Sequence, residues 1–198
     1  MTRPDVVENE VGPEQYDEHW SCRGSYIQEH PYEQPAIEMI KRSCSKPINV
    51  LEIGAGFGFT LIKILQEFKP ETYVAYEFSS SVYHIRGLLH NLKSNSEVFI
   101  LKKSFRDMFA PELYDCVIAL EIFEHIIWDL EFIERLAPGT RVFFSVPTKP
   151  GKFHVRHFEN EKEITDRYED LLDFKEMIFV PNKWWVVNSI RKDKNGKP

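Results

Sequence analysis

A glycine-rich turn between an apolar strand and an apolar helix constrains this chain more than any other feature of its sequence. The stretch NVLEIGAGFGFT begins at Asn49, and Gly54, Gly56 and Gly58 alternate through its turn. Glycine permits positive φ and removes the Cβ atoms that would hold a ligand away from the backbone. The helix that follows begins with free N–H groups and a positive dipole end. The sequence therefore predicts a strand–turn–helix unit with a ligand site at the turn.

The same alternation of strand and helix continues along the chain. Apolar, β-branched runs predict strands at 48–53, 72–78, 98–101, 115–120 and 141–146, and helical patterns lie around 36–40, 59–68, 79–93, 128–136 and 161–172. Such alternation indicates a parallel sheet. The last two strands, FKEMIFV and KWWVVNSI, are joined by too few residues for a crossover helix and must form an antiparallel hairpin. We expect an α/β, doubly wound, mostly parallel seven-stranded sheet of the Rossmann-like kind with this C-terminal hairpin. Its ligand should bind where strand order reverses, beside the first and fourth strands.

The size and charge of the chain limit its partners. Its 198 residues suit one domain, and no apolar run approaches the ~18 residues of a membrane span. A net charge of −6 provides no electrostatic footprint for nucleic acid, which we do not expect as a partner. The N-terminus lacks the pattern of a targeting signal, and Cys22, Cys44 and Cys116 are widely spaced. We expect a cytoplasmic protein without a membrane partner, and its oligomeric state is not predicted.

The first 30 residues have no sustained hydrophobic period, so their order is expected to depend on packing against the rest. Three aromatic side chains could pack against the domain and anchor this segment to it: Tyr16, Trp20 and Tyr26. They could instead form a flap over a ligand, with Arg23 as a cation. The sequence leaves both alternatives open.

A carboxylate at the end of the second strand indicates which ligand the turn receives. Glu77 lies 19 residues beyond Gly58, where it can accept hydrogen bonds from both hydroxyls of a ribose, and Phe78 can lie against an adenine. Dinucleotide binding is the rival, but its fingerprint requires glycine at the position that Phe59 occupies. A pyrophosphate ligand, and with it a nicotinamide oxidoreductase, is therefore disfavoured.

On these motifs the chain resembles the class I S-adenosylmethionine-dependent methyltransferases, and within them the group of ubiquinone-pathway O-methyltransferases. The resemblance covers residues 48–148 and depends on LEIGAGFG, YEF, YDCVIALEIFEHI and LAPGTRVFFSVP. We expect the methyltransferase domain at 31–192, with 1–30 as an N-terminal extension or cap and 193–198 as a flexible tail. The resemblance itself is limited to 48–148. It implies contacts with S-adenosylmethionine at Glu52, Gly54, Gly56, Gly58, Glu77, Phe78, Ser104, Phe105 and Glu121. Many relatives have an aspartate for the adenine amino group where this chain has Ser104, with Asp107 three residues on.

A Glu-x-x-Glu-His segment after the fourth strand suggests where the methyl acceptor is held. Glu121, Glu124 and His125 would share one side of a helical turn and could bind a divalent cation. The segment resembles the metal sites of ubiquinone O-methyltransferases and of small-RNA 3′-terminal 2′-O-methyltransferases, in which a later histidine, here His154 or His157, completes the site. This resemblance implies Mg²⁺ held by Glu121, Glu124, His125 and His154. Metal-free relatives keep the same Glu-His pair for packing, so both alternatives stay open. Without a metal, His125, His154 or His157 could be the general base.

The leading hypothesis is an enzyme that moves a methyl group from S-adenosylmethionine to a small-molecule acceptor, at oxygen if the Glu/His cluster is catalytic. Such a transfer is an in-line displacement, so the protein mainly aligns the acceptor and removes its proton. An enzyme acting on the 3′-terminal ribose of RNA is an alternative that the acidic charge disfavours. A non-catalytic module that binds S-adenosylmethionine or a nucleotide is another.

Overall fold

The computed structural model describes residues 5–7, 10–21, 30–44, 49–108, 110–181 and 183–198, without the side chains of residues 19–21 and 107. Seven strands of this part form one sheet in the order β3-β2-β1-β4-β5-β7-β6. They are β1 (Asn49–Ile53), β2 (Thr72–Tyr76), β3 (Glu97–Leu101), β4 (Cys116–Leu120), β5 (Arg141–Pro147), β6 (Leu172–Val180) and β7 (Trp184–Arg191). β1 to β5 pair in parallel, and β7 runs antiparallel to both β5 and β6. The expected mostly parallel α/β sheet with a C-terminal hairpin is confirmed.

Six α-helices of the described residues connect and cover these strands. They are α1 (Pro13–Ser21), α2 (Glu33–Ser43), α3 (Phe59–Glu67), α4 (Val82–His90), α5 (Asp129–Glu134) and α6 (Glu161–Tyr168). α1 was not predicted, because its sequence carries no clear apolar period. α4 begins later than expected, and its N-terminus has no side-chain cap. The hydroxyls of Ser79 and Ser81 there bond to each other at 2.8 Å. No described helix is both long and apolar enough to cross a bilayer.

Apolar side chains fill both faces of the sheet because successive residues of a strand point to opposite sides. Leu51 packs with α5 and α6, in the cluster that contains Phe132 and Tyr168. Val50 packs on the other face with α2 and α3. The adjacent Trp184 and Trp185 likewise divide between the two faces, and both are partly buried. Buried parallel strands thus form the middle of three layers.

The strand order places the two motifs of the sequence side by side. β1 lies between β2 and β4, with Glu52 opposite Ile118 of β4. The order reverses between β1 and β4, so the glycine turn and the segment that begins at Glu121 meet at the same edge of the sheet. This edge is the crevice in which open α/β sheets bind ligands.

Several sequence expectations concern residues outside the described part. These are Ile48, Cys22, Arg23, Tyr26 and Asn182, together with the side chains of Trp20 and Asp107. At the other end, the Asp193 carboxylate accepts hydrogen bonds of 2.8 Å from the amides of Asn195 and Lys197. These bonds form a turn within the tail at 193–198, whose flexibility stays a prediction.

Candidate functional site

The glycine turn adopts the left-handed backbone that its sequence predicts. Gly54 has φ 70° and Gly56 has φ 53°. A Cβ on Gly54 would lie 1.9 Å from Cδ1 of Ile122, so any other residue there would force that side chain to move and would be strained at this positive φ. A Cβ on Gly56 would meet nothing within 4 Å. The space beside the turn is therefore filled by a protein side chain at Gly54 and is empty at Gly56.

Glu77 joins the end of β2 to this turn. Its Oε2 accepts a 2.8 Å hydrogen bond from the Gly56 amide, and its Oε1 accepts one of 2.7 Å from the Ser79 amide. Each carboxylate oxygen can accept a second bond. Burial raises the pKa of Glu77, although its hydrogen bonds act in the opposite direction. The side chain is thus fixed at the crevice and keeps acceptor capacity.

The residues expected around an adenine lie on two neighbouring loops. Phe78 follows Glu77 directly, and the ring of Phe105 lies 4.8 Å from that of Trp128 and 5.4 Å from that of Phe132. The Ser104 hydroxyl accepts a 3.2 Å bond from the Arg106 amide and caps the short helix at 105–107. The Ser104 hydroxyl is thus already bonded within its own loop, and its contact with a cofactor stays a prediction.

Further acids are buried around the turn. Glu52 is 4% exposed and accepts a 3.0 Å hydrogen bond from the Tyr73 hydroxyl. Burial raises the pKa of Glu52 to about 8, and the charges of Glu33 and Glu77 act in the same direction. In the described part of the chain, no lysine or arginine forms an ion pair with Glu52, Glu77, Glu121 or Glu124. The crevice therefore holds buried acid groups that form no ion pair with the lysines and arginines of the described residues.

Glu121 begins the loop after β4 and has φ 56°. Its Oε2 accepts a 2.8 Å bond from Nε1 of Trp184, and its Oε1 accepts one of 3.2 Å from the Ser145 hydroxyl. Burial raises the pKa of Glu121 to about 7. The ring of Trp184 in turn lies 5.3 Å from that of Tyr32. Sequence reasoning missed Trp184 as a site residue, and its only signal was that adjacent tryptophans on a strand face opposite sides.

Glu124, His125 and His154 form a compact group in which each offers one ligand atom within 4.8 Å of the others. Nε2 of His125 lies 3.9 Å from Oε1 of Glu124, and the His125 and His154 rings are 4.9 Å apart. Glu124 is fully buried, and no donor in the described part of the chain satisfies either of its oxygens in hydrogen-bonding geometry. Burial and the charge of Glu121 raise its pKa well above the ordinary value.

Both histidines of this group are held neutral near pH 7. Burial lowers the pKa of His125, and burial together with His125 lowers that of His154 to about 4. Nδ1 of His125 lies 2.9 Å from the carbonyl oxygen of Phe153, which assigns the proton to Nδ1 and leaves the lone pair on Nε2. Neutral imidazole is the form that binds metals or accepts a proton.

The structure does not bring every expected ligand into this group. Glu121 lies outside it, and Nε2 of His157 lies 3.9 Å from the Glu159 carboxylate. The expectation of a helical turn at 121–125 was wrong: α5 begins only at Asp129, and the preceding residues form non-helical turns. The group is instead assembled by two loops, since His154 comes from the segment between β5 and α6.

Comparisons with known proteins agree with this arrangement of strands and turn. A family model described as a methyltransferase domain matches residues 28–188. A search of curated proteins finds no match.

Solved structures share the fold at low sequence identity. The 1,6-didemethyltoxoflavin-N1-methyltransferase of Burkholderia thailandensis, bound to S-adenosylhomocysteine, has a TM-score of 0.73 and 16% identity over 92% of each chain. Magnesium protoporphyrin IX methyltransferase of Synechocystis PCC 6803, bound to S-adenosylmethionine, has a TM-score of 0.71 and 12% identity over 96% of this chain and all of its own. The N-methyltransferase NodS of Bradyrhizobium japonicum WM9 has a TM-score of 0.63 and 14% identity over 82% of this chain and 97% of its own.

Proposed function

Since the chain belongs to the methyltransferase-domain family, we propose that it methylates a small-molecule acceptor at oxygen, with S-adenosylmethionine as donor and a divalent cation as assistant. The observation that carries the donor is the set of buried acids around the glycine turn, for which the described residues provide no lysine or arginine partner. S-adenosylmethionine brings an ammonium and a sulfonium group to such a site, whereas a pyrophosphate would add negative charge.

The cofactor is proposed to lie along the edge formed by the loops after β1, β2 and β4. Glu77 would accept hydrogen bonds from the ribose hydroxyls, with Phe78, Ser104 and Phe105 around the adenine. The open space at Gly56 supports close approach of the methionine part. Glu52 and Glu121 would lie beneath and beside it, where the positive charges of the bound cofactor would favour the ionised form of both carboxyl groups.

The group of Glu124, His125 and His154 is proposed to hold the cation. Its fit is supported by a buried carboxyl group for which the described residues provide no hydrogen-bond donor, and by two neutral imidazoles within ligand distance. Mg²⁺ is one candidate, although two imidazoles suit Mn²⁺, Fe²⁺ or Zn²⁺ better. When bound, a cation there would polarise an acceptor hydroxyl and favour its ionisation.

The chain's own residues then have mainly orienting roles. Trp184 and Ser145 fix the Glu121 carboxyl group, and the Phe153 carbonyl fixes the ring of His125. If no metal is present, His125, His154 or His157 is the proposed general base, and burial keeps His125 and His154 in the neutral form that accepts a proton. We propose that the side chains fixed in this way hold the acceptor oxygen in line with the sulfonium methyl group.

Isothermal titration calorimetry with S-adenosylmethionine, S-adenosylhomocysteine and NADH tests the donor. We expect binding of both sulfur compounds and none of NADH. Methyl transfer from labelled donor to a panel of phenols, alcohols and amines, with Mn²⁺ or with a chelator, then tests the acceptor. Failure of folded protein to bind either sulfur compound would refute the proposal. Turnover restricted to amines and insensitive to the chelator would refute its oxygen and metal parts.

A further inference from the structure

The N-terminal segment crosses the crevice and contacts three of its loops. We define the strap as residues 5–7 and 10–21. The Val6 amide donates a 2.7 Å bond to the Val155 carbonyl, and Glu10 accepts a 3.0 Å bond from Nε1 of Trp128. At its other end, Asp17 accepts bonds of 2.8 and 3.1 Å from the amide and hydroxyl of Ser80. The strap therefore spans the loops after β5, β4 and β2.

Asp5 anchors the strap in a partly buried ionic network. Its carboxylate makes two bonds with Arg156, of 2.9 and 2.6 Å, and lies 3.4 Å from Arg167. Asp129 is fully buried and pairs with the same two arginines at 3.3 and 2.7 Å. Two acids thus balance two cations. Burial acts to raise the pKa of Asp5, but the hydrogen bond and charge of Arg156 outweigh it and lower that pKa.

Arg156 also holds together the two loops of the Glu/His group. Its guanidinium donates to the carbonyl oxygens of Phe123 and Ile126, which flank Glu124 and His125. The neighbouring Val155 amide donates a 2.7 Å bond to the Glu124 carbonyl. Arg156 itself lies two residues after His154 on the chain. Asp5 is therefore bonded to the side chain that connects these loops.

Tyr16 lies between the two proposed halves of the site. Its ring centroid is 5.3 Å from that of Phe78, on the donor side. It is 6.0 Å from the ring of His125 and 6.3 Å from that of Phe153, on the acceptor side. The strap thus places an aromatic ring across the junction where the transferring methyl group would lie.

From these contacts we propose that Asp5 is a positioning residue: through Arg156 it fastens the strap across the crevice and holds Tyr16 against the bound cofactor. The inference rests on the proposed function for the identity of that cofactor. A cofactor beneath the strap can leave only after the strap opens. The Asp5–Arg156 contact therefore slows cofactor release without touching the cofactor itself.

Asp5→Asn, which keeps the shape and removes the charge, tests the proposal, and Glu14→Gln on the exposed face of α1 is the matched control. Stopped-flow measurement should show S-adenosylhomocysteine leaving roughly tenfold faster from Asp5→Asn and at the wild-type rate from Glu14→Gln. Hydrogen exchange of the Val6 amide should accelerate while the amides of β1 and β4 keep their protection. A general loss of stability would instead accelerate exchange throughout.

Tyr16→Ala provides the second test, because it should speed release while the Val6 amide stays protected. Two outcomes would overturn the positioning role of Asp5 while leaving the proposed function intact. One is release of S-adenosylhomocysteine from folded Asp5→Asn at the wild-type rate. The other is hydrogen exchange that accelerates in β1 and β4 as much as at the Val6 amide. If wild-type protein binds no S-adenosylhomocysteine, the proposed function fails, and the positioning role fails with it.

Discussion

The amide nitrogen of Gly56 donates a 2.8 Å hydrogen bond to Oε2 of Glu77, across the carboxyl ends of β1 and β2. The other oxygen of the same carboxylate accepts from the Ser79 amide. One side chain therefore holds the glycine turn and the loop after β2 together. Each of these oxygens can accept one more hydrogen bond, and the proposed contact of Glu77 with the ribose hydroxyls uses those remaining acceptor sites.

Glu77→Gln should weaken binding of S-adenosylhomocysteine about 100-fold, because an amide offers one acceptor oxygen instead of two and carries no charge. Calorimetry measures the change. Glu71→Gln, an exposed acid just before β2, should bind like wild type. Equal affinities of the two variants would remove Glu77 from the cofactor site.

Gly54→Ala should destabilise the fold, by about 2–4 kcal/mol in urea unfolding. A residue with a Cβ costs about 1–2 kcal/mol at positive φ, and the methyl group would also force Ile122 to move. An unfolding midpoint close to that of wild type would contradict this prediction, because it would show that the loop accommodates the methyl group at little cost in free energy.

Gly56→Ala should separate binding from stability. Its methyl group would enter open space, so we expect only the positive-φ cost of about 1–2 kcal/mol. The same methyl group would occupy the space proposed for the cofactor, and affinity for S-adenosylhomocysteine should fall below detection. Retained binding in this variant would place the cofactor away from Gly56.

Mn²⁺ should raise the melting temperature of wild-type protein and leave that of Glu124→Gln unchanged, because the amide is a poor ligand for the cation. Glutamine keeps the size and shape of the buried side chain, so the variant is expected to fold. Glu159→Gln, which alters the exposed acid beside His157, is the control and should respond like wild type. A thermal shift that survives in Glu124→Gln would exclude this group as the metal site.

Glu52 should make the free energy of unfolding fall as the pH rises from about 5 to 8. Its pKa is about 8 in the folded protein, against 4.5 ordinarily, so the folded state binds the extra proton across this interval. This contribution to stability is fully present below the ordinary pKa and is lost as the pH rises through the raised one, by at most about 5 kcal/mol. Urea unfolding of Glu52→Gln should show a shallower pH dependence, and an unchanged slope would assign the effect to other acids.

Much of the fold could be predicted because its signals are local. The short link between FKEMIFV and KWWVVNSI excluded a crossover helix, and the structure confirms the antiparallel pairing of β6 and β7. Gly54 and Gly56 adopt the positive φ that their spacing indicated. Such features depend on neighbours in the chain, so the sequence alone reveals them.

The rest of the site depends on contacts between distant residues. Asp5 and Arg156 are 151 residues apart, and Trp184 is 63 residues from the Glu121 carboxylate that it contacts. Neither contact leaves a periodic signal. Likewise, the grouping of His154 rather than His157 with Glu124 depends on how the loop at 151–158 folds back. A loop path of this kind follows from tertiary packing, which local patterns do not record.

The place of β7 inside the sheet has a consequence for how the protein is made. β6 pairs with β7, and β7 with β5, so β6 has no partner in the sheet until the strand after it has been synthesised. In a chain growing on the ribosome, the edge of β5 therefore stays unpaired after β6 has been synthesised and until β7 follows. An open edge of that kind is a template for pairing with other chains. The ribosome-bound intermediate with β5 complete is the stage at which we expect the strongest demand for chaperones.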